Sequence, residues 1–368
     1  MRLLIAGGGS GGHVFPGLAV ADALHRIAPD VSIDWLGARG GIEERLVPAV
    51  GLPLHVIRAG KLNRFVGRET LPDLLRVPVG MVEAVAVARR LQPDAILTCG
   101  GFVAVPAGIA GTIYRRPILA LQQDVEPNLA NRLITPLARR VVVAFAMSLS
   151  RFPPGKAVAL GNPVRTGLLE RTTGAVGRPF DLPPDLPLVL VTGGSQGALG
   201  LNRLVLAALP DLLERAAVVH LCGQRSVGLV EAAAVALPPR LARRYVWLAF
   251  VDEDMPQLLA TADLVVSRAG AATLCELAAL GKAALLVPLP PAWGRSPQEI
   301  NAEAFRRAGA AEVLREANAT AGILWERTRA LLDNPERRRA LSRGAAALGR
   351  PHAAEDVARL LLHMAKGE

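Results

Sequence analysis

Leu3-Leu-Ile-Ala-Gly-Gly-Gly-Ser-Gly-Gly-His13 and Val189-Leu-Val-Thr-Gly-Gly-Ser-Gln-Gly-Ala198 read alike: an apolar run of strand length, a glycine turn, then residues that continue with helical spacing. Short apolar runs bounded by glycine suit strands buried on both faces of a parallel sheet. Their recurrence near the start and the middle of a 368-residue chain marks an internal pseudo-repeat. Outward from these two stretches, β-type runs alternate with longer helix-type segments, the pattern of parallel sheets flanked by helices. In the first half strands are predicted at Arg2–Ala6, Ser32–Leu36, Leu54–Arg58, Asp94–Thr98, Pro117–Leu121 and Arg140–Phe145. In the second half they fall at Leu186–Thr192, Ala217–Cys222, Tyr245–Ala249, Asp263–Ser267 and Ala283–Leu289. Each half is therefore an α/β, Rossmann-like unit.

Chain length alone favours two domains, because one hydrophobic core rarely keeps growing past about 250–300 residues. Gly161-Asn-Pro-Val-Arg165 and the turn-rich stretch through Gly174, Gly177, Pro179, Pro183 and Pro184 place the junction near residue 161. Residues 1–161 and 162–345 are the two expected domains. For residues 346–368, with a helix from Ala353 to Lys366, packing back on the first domain is one option, and the pattern does not decide between the two.

With 51% hydrophobic and 20% charged residues, the composition excludes disorder. The longest apolar runs, Val141–Leu149 and Ala283–Pro291, fall short of the ~18–20 residues a spanning helix needs. Arg2–Ala6 reads as a strand rather than a secretion signal, and Cys99, Cys222 and Cys275 stand too far apart for a CxxC metal site, so a cytoplasmic chain with reduced thiols is expected. Net charge is +10, almost all of it arginine. Only 4% of residues are aromatic and no nucleic-acid motif is present, so an anionic membrane surface or a phosphate-rich substrate is the better partner than nucleic acid. An arginine-rich solvated surface is the plainer alternative.

A glycine loop that leaves a strand and opens a helix lets backbone N–H groups approach phosphate oxygens. The first loop also matches G-x-G-x-x-G at Gly7, Gly9 and Gly12, with Asp34 near the place of a ribose-binding acid, so a nicotinamide dehydrogenase has to be weighed. Against it stand His13, where the pyrophosphate would pack, and the second glycine loop. Ser267-Arg-Ala-Gly-Ala-Ala-Thr-Leu-Cys-Glu276 follows a strand and turns at Gly270, aiming the N–H groups of Ala272 and Thr273 at a phosphate. Glu276 suits a ribose diol, or else merely complements the helix dipole. Gln298 and Asn301 share a helix face suited to sugar hydroxyls, or to solvent.

Gly8-Gly-Ser-Gly-Gly-His13, Gly100-Gly-Phe-Val103, Gly161-Asn-Pro-Val-Arg165, Gly193-Gly-Ser-Gln-Gly-Ala198, Ser267 to Glu276 and Gln298-x-x-Asn301 together closely resemble the MurG family of glycosyltransferases, in order and spacing over nearly the whole chain. The resemblance implies a GT-B fold, two Rossmann-like domains facing across a cleft. It implies inverting, metal-independent and cofactor-free transfer of N-acetylglucosamine from UDP-N-acetylglucosamine to undecaprenyl-pyrophosphoryl-N-acetylmuramyl-pentapeptide, giving lipid II for peptidoglycan synthesis and so for cell shape and division. The acceptor would sit on the N-terminal domain and the UDP-sugar on the C-terminal one. By motif, Arg165 and Ser195 would hold the diphosphate, Ala271, Ala272 and Thr273 the α-phosphate, Glu276 the ribose, Val251 the uracil through its backbone, and Gln298 the sugar. Ser10, Gly11, Gly12, Gln196, Leu274, Cys275 and Asn301 complete the donor and loop set, and Asp124 and Asn131 belong to the acceptor side. His13 is the candidate general base, with helix capping or a phosphate bond as its structural alternative. The chain departs from the family at Leu121-Gln-Gln-Asp124, where His-Glu-Gln-Asn is usual, and in the run before Gln298, which leaves room for an altered acceptor or for UDP-sugar binding without turnover.

A lipid-linked acceptor calls for a docking patch. Lys61 to Arg76 interleaves basic and apolar residues, and Leu62, Arg64, Phe65 and Arg68 are the expected membrane contacts, at the cytoplasmic face and peripheral.

Overall fold

The computed structural model describes residues 1–59, 70–165, 167–168, 177–194, 197–251, 254–291 and 297–368, with only the backbone for 70–77. The chain divides into two units, Met1–Thr166 with Arg350–Glu368, and Gly167–Gly349.

Unit 1 runs β1 (Arg2–Ala6), α1 (Gly11–Ile27), β2 (Ser32–Ala38), α2 (Glu43–Ala49), β3 (Leu54–Ile57), α3 (Thr70–Leu91), β4 (Ala95–Thr98), α4 (Ala104–Ile113), β5 (Ile118–Gln122), α5 (Leu129–Ile134), β6 (Arg140–Val143) and β7 (Ala157–Val158). Its seven strands are all parallel, in the order β3-β2-β1-β4-β5-β6-β7. Unit 2 runs β8 (Leu188–Thr192), α6 (Leu199–Arg215), β9 (Ala217–Leu221), α7 (Val227–Val235), α8 (Pro239–Ala242), β10 (Tyr245–Leu248), α9 (Met255–Thr261), β11 (Leu264–Ser267), α10 (Ala271–Ala279), β12 (Ala284–Leu286), α11 (Pro297–Arg307), β13 (Glu312–Val313), α12 (Ala321–Leu332) and α13 (Pro335–Leu348). Its parallel order is β10-β9-β8-β11-β12-β13. These two parallel-sheet α/β units have the architecture expected from the alternating runs, and all eleven predicted strands are present. The two-residue edge strands β7 and β13 were not foreseen, being too short to leave a periodic signal.

Strand alternation builds the core of unit 1 on both faces of its sheet. Leu3, Ile5, Leu97, Leu119, Leu121 and Val142 pack on one side, while Leu4, Ala6, Ile96, Ala120, Val141 and Val143 pack on the other. The last helix, α14 (Ala353–Ala365), joins the first of these clusters through Val357, Ala358, Leu361 and Met364, beside Val20 and Leu24 of α1. Burial of Leu361 and Met364 contributes roughly 1.5–3 kcal/mol each, enough to hold a helix of this length in place.

In each sheet the strand order reverses between the first strand and the fourth. Ala6 ends level with Thr98 in unit 1, and Thr192 level with Ser267 in unit 2. Open parallel sheets bind ligands beyond the carboxyl ends of their strands at such a reversal.

Candidate functional site

The reversal in unit 1 is occupied by the loop from Gly7 to Ser10 and by Gly100–Gly101. Gly9, Gly100 and Gly101 have φ of +84°, +94° and +76°, values that side chains on Cβ disfavour. Ser10 is the N-cap of α1, yet its hydroxyl makes no cap bond and lies 3.1 Å from His13 Nδ1. The Gly8 carbonyl also lies beside the His13 imidazole. Gly100 closes over the ring, since a Cβ there would sit 2.8 Å from His13 Cδ2. His13 is half-buried, and burial lowers its pKa from 6.5, the Gly8 carbonyl opposing the shift. The neutral, proton-accepting imidazole is thereby favoured near pH 7.

Arg165 reaches the same helix: its guanidinium stacks over the Phe15 ring, 3.9 Å from the centroid. Asp124 is half-buried in the loop after β5. That loop is latched by Gln122, whose Nε2 donates to the carbonyls of Asp124 (2.7 Å) and Glu126 (3.0 Å). Asn131 is buried, and its amide donates to Leu121 O (2.9 Å) and Gln122 Oε1 (2.6 Å). It braces the loop from inside. Gln123 Nε2 donates to Cys99 O at 3.0 Å and ties the end of β5 to that of β4. Ser10, Gly11, Gly12, His13 and Arg165 are thus brought together along one helix, with Asp124 on the neighbouring loop and Asn131 on α5.

In unit 2 the reversal carries the turn at Gly193–Gly194, with Gly194 N–H donating to Thr192 Oγ1 at 3.2 Å, and the start of α10. Ser195 and Gln196 lie outside the described residues, as do Leu62, Arg64, Phe65 and Arg68. Gly270 caps α10 without a side-chain bond, and the first intrahelical bond is Leu274 N–H to Gly270 O. The N–H groups of Ala271, Ala272 and Thr273 therefore stand ahead of the helical ladder, at its positive end. Leu274 and Cys275 are buried, so their side chains pack inward; Glu276 is buried one turn further along. Asn301 is fully buried and its amide donates to Ala269 O at 3.2 Å. Gln298 Oε1 accepts the Leu289 N–H at 2.9 Å. Val251 follows β10 at the carboxyl end of an edge strand.

The family models for the glycosyltransferase family 28 N-terminal domain and the glycosyltransferase family 28 C-terminal domain match residues 3–143 and 188–357. The chain belongs to glycosyltransferase family 28. Its relatives within the family include proteins of Anaeromyxobacter dehalogenans strain 2CP-C (36% identity, 100% of this chain, 94% of the relative) and of Clostridium kluyveri (34% identity, 90% of this chain, 91% of the relative). Both are named UDP-N-acetylglucosamine--N-acetylmuramyl-(pentapeptide) pyrophosphoryl-undecaprenol N-acetylglucosamine transferase. The crystal structure of Acinetobacter baumannii MurG superposes with a TM-score of 0.74 at 28% identity, covering 98% of this chain and 99% of that one.

Asp34 also speaks against the dehydrogenase reading. It pairs in register with Leu4, short of the strand ends, and its carboxylate bonds His55 Nε2 at 2.7 Å. A ribose acid would stand past the end of β2 instead. Several residues that shape the two loops had no role in the sequence reading. Trp35, fully buried on β2, donates its indole N–H to Gly7 O at 2.8 Å. Arg268, buried, donates to Val287 O (3.0 Å) and Pro288 O (3.2 Å) and pairs with Glu316, anchoring the turn before α10. Asn202, near the start of α6, donates its amide to Cys222 O at 2.7 Å and accepts at Oδ1 from Nε2–H of the buried His220 (3.0 Å), whose other nitrogen meets Tyr245 Oη. Proximity of Arg268 to the glycine turn in its motif was the available signal; for the others none exists in the local pattern.

Proposed function

We propose that this chain transfers N-acetylglucosamine from UDP-N-acetylglucosamine to undecaprenyl-pyrophosphoryl-N-acetylmuramyl-pentapeptide, inverting the anomeric carbon and giving lipid II for peptidoglycan. The supporting observation is the near-full-length correspondence with relatives named for that transfer, joined to a glycine loop at the reversal of each sheet. Unit 1 takes the acceptor and unit 2 the nucleotide sugar. His13 removes the proton from the acceptor hydroxyl as its oxygen attacks the anomeric carbon; the bond from that carbon to the diphosphate breaks, and its electron pair leaves with UDP. A positioned base is worth roughly 10²–10⁴ in rate.

Negative charge grows on the departing diphosphate. The N–H groups of Ala271, Ala272 and Thr273, with Arg165 and Ser195, stabilise it without a metal ion. Glu276 accepts from the ribose hydroxyls, Val251 meets the uracil through its backbone, and Gln298 reads the sugar. Asn131 and Asn301 contribute by holding the loops that carry the ligands, since their amides are committed to backbone carbonyls. Among the described residues no helix is long and apolar enough to cross a membrane. We place the chain at the cytoplasmic face of the membrane as a peripheral protein, docked through Leu62, Arg64, Phe65 and Arg68.

The test is UDP release from UDP-N-acetylglucosamine that depends on the lipid acceptor and survives EDTA. Release without the acceptor, or none with it, refutes the reading. UDP binding without turnover, or turnover only with a different acceptor, would support the second reading, which the carboxylate of Asp124 in place of an amide favours. Flotation with liposomes should retain the protein on anionic lipid and not on neutral lipid.

A further inference from the structure

Glu43 opens α2, thirty residues beyond His13, and is fully buried. Its carboxylate accepts the Gly9 N–H (3.0 Å to Oε2, 3.2 Å to Oε1) and the Ala38 N–H (2.8 Å). Three glycines close round it. A Cβ on Gly8 would lie 2.1 Å from Oε1, one on Gly41 2.2 Å from Oε2, and one on Gly37 2.7 Å from Cγ. Such space is left only for this side chain.

The peptide group between Gly8 and Gly9 has its N–H on Glu43, and its carbonyl lies beside the His13 imidazole, whose pKa it raises. A trans peptide holds these two groups on opposite sides, so a carboxylate that grips one end fixes where the other end points. Gly101 backs the same unit: a Cβ there would be 2.6 Å from Gly8 O and 3.3 Å from His13 Nδ1. We propose that Glu43 is a positioning residue for His13, acting through the Gly8–Gly9 peptide as the orienting acid of a three-part relay. The carboxylate polarises the peptide, its carbonyl becomes the stronger acceptor, and the imidazole is held in one tautomer with raised proton affinity. Ser10 Oγ supplies a second contact to the ring. The kinetic consequence rests on the reading of His13 as general base; the structural coupling does not.

The experiment is a nitrogen-15 NMR titration of His13 in the full chain, wild type and Glu43→Gln. Glutamine keeps the shape and removes the charge. The His13 midpoint should fall by about half a pH unit or more, and Glu43→Asp should restore part of the shift. An unchanged midpoint in a folded Glu43→Gln overturns the proposal. The wild type supplies a mutation-free arm, which decides the matter if the variant does not fold: the Gly9 amide should be protected from exchange and should titrate with the His13 midpoint. A fast-exchanging Gly9 amide blind to that midpoint overturns it equally. In transfer assays Glu43→Gln should lower kcat about tenfold with the donor KM within about twofold. If the relay is intact by NMR and transfer is absent in the wild type, the proposed function fails and the coupling stands.

Discussion

Replacing Gly17 by alanine sets helix propensity against packing. Propensity alone favours alanine in the interior of α1 by about 1 kcal/mol. The new methyl would, however, lie 2.5 Å from Trp35 Cη2, 3.0 Å from Cys99 Sγ and 3.1 Å from Ile5 Cγ2, against ~3.5–4.0 Å for an ordinary carbon contact. Trp35 has little room to yield, because it is fully buried and its indole N–H is bonded to Gly7 O. Forcing a methyl into such a core costs about 1–3 kcal/mol, and losing the indole bond adds about 1–3 kcal/mol. Packing therefore wins, and Gly17→Ala should destabilise the protein by roughly 1–5 kcal/mol, the sum of those costs less the propensity gain. Urea unfolding followed by circular dichroism measures the loss, and hydrogen exchange over residues 3–24 locates it in β1 and α1. Because α1 opens with Ser10 to His13, transfer activity should fall as well. In a Trp35→Phe background the same alanine should cost less, with a coupling of about 0.5–3 kcal/mol. Gly322, exposed in α12 with no atom nearer than 4.0 Å to its would-be Cβ, is the control, and alanine there should gain a few tenths to about 1 kcal/mol. A Gly17→Ala chain as stable as wild type, or more so, would refute the argument.

Three further outcomes are expected. His13→Ala should lower transfer at least about 100-fold with UDP binding by calorimetry nearly unchanged. The rising limb of kcat/KM with pH, with its midpoint below 6.5 because burial depresses the His13 pKa, should disappear; activity within about tenfold of wild type would end the base assignment. His220, buried against Asn202 and Tyr245, has its pKa pushed down to about 4 from 6.5. Its unfolded form binds the proton first, so stability contributed by this group is present above pH 6.5 and lost as pH falls toward 4, by about 3 kcal/mol in all. Thermal melts of wild type and His220→Gln across that window read the difference, and parallel curves would contradict it. Arg268→Ala should cost about 3 kcal/mol or more, since it leaves Glu316 and two carbonyls without their donor. Lysine should recover only part of that, having no planar fork; a full rescue by lysine would show that charge alone matters.

Much of the site's frame was legible before any coordinates. Gly7 to Gly12 and Gly193 to Gly197 announced the turns that follow β1 and β8, because glycine at such density after a buried strand has a local backbone cause. The roles of Asn131 and Asn301 were not legible in the same way. Both share a helix with polar neighbours and suit a ligand equally well, and only the register of the strands beneath turned their amides onto Leu121 and Ala269.

The amino-acid pattern by itself determined eleven strands, their alternation with helices, the two glycine turns and the pseudo-repeat, since each is set by side-chain spacing over a few residues. Tertiary structure alone decided that β7 and β13 extend the sheets, that α14 packs on α1, that Trp35 braces Gly7 and that Glu43 grips Gly9. Those partners meet across 28 and 34 residues of chain. Such pairings follow from sheet order and register, which bring distant residues level with one another and leave no periodic trace in the chain.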